Sequence, residues 1–488
     1  MLLSNSIAFV ATLLLFLVLG MSGIKRIRSV GDFFHKPDFS SNIIALLVAN
    51  VTLGTGLAYL LTSGAKNGLL MLVIPVGIIV GYWLLAKFII GLPDQFQSSG
   101  KNMLYTMREG ISSDGRQGKF LGVSVFDISV TVPLILVYLL IFAYELFASS
   151  KIMGAMIFPH QLDKASLIVA VAIFVSTLVY CLMGGVQAVF RTDKLQLIGI
   201  IIFVGLLVFS GYFLNGSAHQ NEATHSAFKF DNQIIINSII AFIAAVATQF
   251  YSLLNIYASS NLTDTASRVR LMRWNGFLVA LALSPIVIIG ATANFDLAKG
   301  IAPVISHIAG EAQDIAIVGP GLLFLVVFGM TAVVVSTTDI LILSLSYFIY
   351  ENIIEGDFES GSKEAIKSVR ILMLSLFAVA FLLLAGMFWL SADLFYLLLS
   401  IANGPIIYVP LIIAAGVLAR EKEGLKTISN SWLLFFLFLF VSASFSSLTV
   451  LKNMPTIVPY LSIIHLSIAS FAAAAIYFLG MKKLRSRQ

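Results

Sequence analysis

Residues 42–63 read NIIALLVANVTLGTGLAYLLTS. The segment is apolar towards both ends and polar in the middle, where Asn50, Thr52, Gly54, Thr55 and Gly56 sit. It is long enough to cross a bilayer, which takes about 20 mostly apolar residues. Two glycines this close together weaken a helix by about 1 kcal/mol each. Unwound backbone at mid-membrane is tolerated only where it is buried in protein or lines a cavity. Freed carbonyls at such a break can ligate a hard cation such as sodium. Close helix packing through small residues accounts for the same glycines, and the segment alone does not choose.

The rest of the chain is of the same kind. Of 488 residues 59% are hydrophobic and 11% charged, the net charge is +6 and the mean hydropathy is +0.98. A soluble domain carries roughly 25% charged residues. These values exclude a cytosolic enzyme, a nucleic-acid binder and a disordered chain. They fit an all-α polytopic membrane protein in a lipid bilayer. One cysteine, Cys181, rules out a disulfide framework and a multi-cysteine metal site. Thirteen candidate spans follow from hydropathy: 7–23, 42–63, 68–92, 120–157, 165–187, 193–215, 233–258, 273–295, 317–350, 367–391, 394–419, 429–450 and 457–481. Two of them, 120–157 and 317–350, are long enough to tilt strongly or to run on outside the bilayer. The first has no basic leader and no small-residue cleavage site, so it reads as a retained helix.

Lys and Arg orient the spans. With the N-terminus outside and the C-terminus inside, only Lys66, Lys151, Lys164, Lys229, Lys299 and Lys452 face outwards, leaving 24 of 30 inside. The basic residues then meet an anionic inner leaflet, which explains the net charge without nucleic acid. A cell inner membrane, the bacterial plasma membrane, is the expected location.

Two further segments carry chemistry. Within 317–350, Ser336, Thr337, Thr338 and Asp339 form four oxygen-bearing side chains in a row. An Asp at the bilayer centre costs about 2.5–3.5 kcal/mol and usually marks an ion or proton path. Hydroxyls and a carboxylate suit a hard cation. Hydroxyls bonded back to their own helix, with Asp339 at the inner interface, are the structural alternative. The turn 181–197, CLMGGVQAVFRTDKLQL, has Gly184 and Gly185 to close one helix, Thr192 to cap the next and Asp193 in its first turn.

Four elements, in order, resemble the sodium/solute symporter family. GGVQAVFRTDKLQ (184–196) resembles its Gly-Gly-x-x-Ala-Val-x-x-Thr-Asp-x-x-Gln turn, and STTD (336–339) resembles the Ser-Ser/Thr segment of its eighth core helix. LPDQF (92–96) resembles the element after its second core helix, and VGDFF (30–34) the stretch before its first. The resemblance covers nearly the whole chain. It implies a leucine-transporter-type fold of two inverted five-helix repeats, 42–215 and 233–419, with an extra helix and inner loop at 1–41 and two more helices and a basic tail at 429–488.

The resemblance also implies a sodium ion as coupling ion and a small organic solute bound between the repeats. Sodium ligands carried over by motif are the hydroxyls of Ser336 and Thr337 and the carbonyl of Val333. Carbonyls of the broken first core helix complete them, either Val48 and Val51 or Val51 and Gly54. Some relatives use the Thr-Asp carboxylate for an ion, which is Asp193 here, with Asp339 near it. Solute contacts are expected from Asn50, Thr52, Thr55, Glu145, Gln249, Tyr251 and Ser252, with Asn255 and Asp127 beside them; a polar stripe packing on neighbouring helices accounts equally well for Gln249, Tyr251, Ser252 and Asn255. Three departures stand out. Arg191 replaces an uncharged residue and is placed to pair with Asp193. The basic residue expected soon after LPDQF is missing. The sixth core helix, 233–258, has no glycine or proline, so no break is visible in it.

The expected function is sodium-coupled symport of an amino acid, carboxylate, vitamin or sugar by alternating access. One charge moving through 100 mV supplies about 2.3 kcal/mol, enough for roughly fiftyfold accumulation. Proton coupling through Asp193 or Asp339 is the alternative, since two close carboxylates either bind a cation or share a proton. A membrane sensor keeping the fold is disfavoured by the short tail. An intramembrane enzyme would need a nucleophile–base or metal constellation, which the sequence does not offer. Oligomeric state is not legible.

Overall fold

The computed structural model describes residues 2–22, 27–35, 38–92, 102–112, 119–120, 123–157, 162–209, 231–262, 264–292, 319–354, 356, 358–389, 404–421, 424–453 and 458–486. Among them, eight helical segments are long and apolar enough to cross a membrane, and four shorter apolar helices accompany them. The chain is an integral membrane protein.

The first helix, α1 (Leu2–Met21), is followed by the short α2 (Val30–Phe34), which starts with a capping box between Ser29 and Asp32. The segment that opened the sequence reading is broken where its composition says. Helix α3 (Phe39–Asn50), capped by the Asp38 carboxylate on Ser41 N, stops at Val51 and Thr52. A π-helical turn (Leu53–Leu57) then leads into α4 (Ala58–Asn67). Helix α5 (Val73–Ile90) returns, and α6 (Met103–Ser112) lies beyond it.

The candidate span 120–157 begins later than its hydropathy suggests. A minimal antiparallel pair, β1 (Lys119–Phe120) and β2 (Val123–Ser124), comes first, and the π turn Asp127–Thr131 leads into α7 (Val132–Ile157). Helix α8 (Leu162–Phe209) is two crossings joined at a kink, where Gly185 takes φ +51°. The kink is tight: Gly185 lies against the Phe33 backbone and ring, where a Cβ has no room. The second arm has resumed before Thr192, whose hydroxyl bonds back to the Ala188 and Val189 carbonyls. Thr192 is therefore no cap, and Asp193 lies about two turns into the arm.

Helices α9 (Asn232–Tyr251) and α10 (Leu253–Ser260) form one span broken at Ser252. They are followed by α11 (Thr265–Thr292), α12 (Gly319–Asn352), α13 (Lys363–Trp389) and α14 (Tyr408–Leu418), the last behind a 3-10 turn at Gly404–Ile407. The chain closes with α15 (Asn430–Asn453) and α16 (Val458–Arg485). Helix α12 is the central post: 78% of its spanning window is buried, as expected of a helix apolar all round. It packs on α8, α7, α3 and α1. Its 34 residues reach about 50 Å, more than the hydrocarbon core needs, and its C-terminal end is tied to its neighbours. There Glu351 accepts from Asn102 N at 3.0 Å, and Arg108 donates to the Asn352 carbonyl and pairs with Asp127 at 3.3 Å.

Candidate cation and solute site

The break in α3–α4 lies against the middle of α12. The Val48 carbonyl accepts from Val51 N and from Ser336 Oγ, each at 3.3 Å. Ser336 Oγ and Thr337 Oγ1 also reach the Val333 carbonyl, at 2.9 and 3.1 Å. Two carbonyls and two hydroxyls thus converge at the end of an unwound helix, and all four residues are buried. Val51, also buried, sits in the unwound stretch with φ −93° and ψ 82°. A neutral all-oxygen donor set suits a hard monovalent cation. Sodium would replace the hydroxyl-to-carbonyl bonds by bonds from the same oxygens to itself. Among the described residues no group of three His, Cys, Asp or Glu could hold a metal.

Gly54 packs on α7. Its N–H donates to Glu145 Oε1 of α7 at 2.8 Å, and its bare Cα faces Ala148 and Ser149. Ser149 Oγ donates to the same Glu145 oxygen at 3.0 Å. The glycine that frees the helix also lets α7 approach it, so the packing and unwinding readings of the glycines both hold. Asn50 Nδ2 caps the Leu46 carbonyl at 2.7 Å, and the Thr52 carbonyl closes the π turn onto Leu57 N at 2.8 Å. Thr55 lies in that turn, and its side chain is outside the described residues.

The second break is built without glycine or proline. Ser252 takes φ −62° and ψ 113°, and its Oγ accepts from Asn255 N at 3.4 Å, capping α10. Asn255 Nδ2 reaches back to the Gln249 carbonyl and to Gln249 Oε1, both at 3.1 Å. An amide side chain thus replaces the lost helix bonds. Tyr251 packs here with its hydroxyl 3.3 Å from Thr248 Oγ1. The pattern Ser-x-x-Asn inside an apolar helix was the available signal, since it is an N-cap signature in an unusual place.

Tyr82 of α5 ties the two breaks together. Its hydroxyl donates to Asn255 Oδ1 at 2.7 Å and receives Asn275 Nδ2 at 2.6 Å, with Asn50 Nδ2 at 3.4 Å. Tyr82 and Asn275 were not singled out by sequence. A lone hydroxyl-bearing ring among the aliphatic residues of α5 gave the only hint.

Asp339 and Asp193 form a second polar centre beside α12. Both are fully buried. Asp339 Oδ2 accepts from the Tyr180 hydroxyl and, at 3.4 Å, from Gln196 Nε2. Both carboxylates lie within electrostatic reach of Tyr180 and Cys181. Asp339 is thus deep in the protein. Arg191 does not fill the partner's role expected of it: its Nη1 turns to Ser22 Oγ at 2.6 Å, at the end of α1. Below the breaks, an aromatic cluster of Phe34, Tyr257, Tyr347, Tyr350 and Phe358 closes the C-terminal end of α12. Asp127 belongs to the Arg108 contact at that end, away from the breaks. Residues 93–96, most of the LPDQF element, and residues 390–403 lie outside the described residues.

In fold, the chain is similar to a Na+-coupled sialic acid symporter solved in a substrate-bound outward-open state. The TM-score is 0.71 at 12% identity, over 98% of this chain and 97% of that one. It is also similar to MhsT, solved in complex with L-phenylalanine, with a TM-score of 0.52 at 15% identity over 91% and 99% of the two chains. No family model matches the sequence, and no curated protein matches it. The chain therefore has the leucine-transporter-type fold expected of it: all-α, with two broken spans facing one another and further helices around them.

Proposed function

We propose that the protein is a secondary active transporter that couples inward movement of sodium to uptake of a small organic solute. One observation carries the reading: the Val48 and Val333 carbonyls meet the Ser336 and Thr337 hydroxyls at the break of α3–α4. Val51 adds a carbonyl in the unwound stretch. The contact of Ser336 Oγ with the Val48 carbonyl favours the Val48–Val51 register. The solute lies between the two breaks, near Asn50, Thr52, Thr55, Glu145, Gln249, Tyr251 and Ser252. Residues 42–215 and 233–419 are the two inverted repeats that rock about it. The N-terminus faces outwards and the C-terminus the cytoplasm, by the distribution of Lys and Arg, and the membrane is a bacterial plasma membrane.

The test is a thermal-shift screen of the purified protein against amino acids, carboxylates, vitamins and sugars, in NaCl and again in KCl. A ligand that binds only the folded state raises the melting temperature by mass action. The reading expects one solute class to stabilise, in sodium alone. Identical curves in the two salts with every solute would overturn it. Proton coupling is the second reading, favoured by the depth of Asp339 and its Tyr180 and Gln196 partners. It expects the solute shift to follow pH in KCl.

A further inference from the structure

Away from the breaks, α5, α9, α14 and α16 enclose a groove of about 840 Å³. Its walls are aliphatic and aromatic, with Phe88 of α5, Val246 and Phe250 of α9, Ile413 of α14 and Tyr477 of α16. Two cations stand in it, Lys87 and Arg420, and no carboxylate lines it among the described residues. Lys87 is in the last turn of α5, and Arg420 lies just past the end of α14. Arg420 Nε donates to the Gly91 carbonyl at 2.8 Å, which fixes the guanidinium beside the end of α5. Both cations therefore mark one end of the groove, and both are exposed.

We infer that this groove holds a phospholipid with an anionic headgroup. Its acyl chains lie along the apolar walls, and its phosphate sits at Lys87 and Arg420. Any lipid covers an apolar wall in a bilayer. Two exposed cations at one end, with no carboxylate lining the groove among the described residues, select an anionic one, each basic side chain near such a surface favouring it by about fivefold. The site reaches the machinery of the fold. Phe250 meets Phe88 edge to face at 5.9 Å and lies two residues before the break at Ser252. The occupant thus touches the span that breaks.

The test is native mass spectrometry of the purified protein with equal amounts of phosphatidylglycerol and phosphatidylcholine, and it needs no transport activity. The expected result is one phosphatidylglycerol retained in preference. Lys87→Gln lowers that preference about fivefold, and Lys87→Arg keeps it. Ala474→Phe, at an exposed position of the groove wall, reduces retention of both lipids. Equal retention of the two lipids by the unaltered protein would overturn the inference. So would an unchanged preference in Lys87→Gln, or a lipid-free dimer that Ala474→Phe dissociates.

Discussion

Glu145 shows how a single side chain shapes the site. It is fully buried and accepts from Gly54 N and Ser149 Oγ, so it holds the unwound backbone in place. A buried donor left without its acceptor costs about 1–3 kcal/mol. Glu145→Ala is expected to cost about 2 kcal/mol in denaturant unfolding, and Glu145→Gln less, since the amide keeps an acceptor. His35 gives a pH dependence. Its Nδ1 lies 2.8 Å from Asn261 Oδ1, yet burial lowers its pKa from the ordinary 6.5. The unfolded chain therefore binds the proton first, and stability is full above that value and falls as the pH drops below it. Melting curves between about pH 7 and pH 5 should flatten in His35→Asn. The polar residues of 42–63 and the STTD run were legible because oxygen-bearing groups at mid-membrane are expensive and few. Tyr82, Asn275 and Tyr180 were not, because each shows its role only through partners on other helices.

At the scale of elements, the two broken spans are made by different means. The first uses glycines and a π turn, and composition reveals it. The second uses Ser252 as a cap and Asn255 as a backbone substitute, and neither residue is a breaker. That is why the first break was plain in the chain, while the second left only the Ser-x-x-Asn pattern as a signal. The late start of α7 has a similar cause, since Phe120 and Val123 suit a strand pair as well as an apolar helix. Tyr82 joins the two breaks through Asn50, Asn255 and Asn275. Tyr82→Phe leaves buried amide groups without their partner and is expected to cost about 1–3 kcal/mol. It should also weaken the sodium dependence of solute binding, read in the same thermal-shift screen. A stability loss with the sodium dependence intact would confine Tyr82 to packing.

For the whole molecule, hydropathy and charge were the most informative features of the sequence. They account for the spans because a bilayer imposes length and apolarity on every crossing. The orientation drawn from Lys and Arg has its own test. Cys181 is the sole cysteine and is buried, so Cys181→Ala gives a clean background for labelling. A membrane-impermeant thiol reagent should reach Lys66→Cys in intact cells and Lys363→Cys only after permeabilisation; the reverse would invert the topology. The central claim is that sodium binds where α3 breaks against α12. The most direct measurement is binding of radioactive sodium to the purified protein, with potassium as competitor. The account predicts saturable binding that potassium does not displace, weakened about tenfold or more by Ser336→Ala in a protein that elutes as folded. Absence of such binding, or binding that Ser336→Ala leaves unchanged, would contradict it.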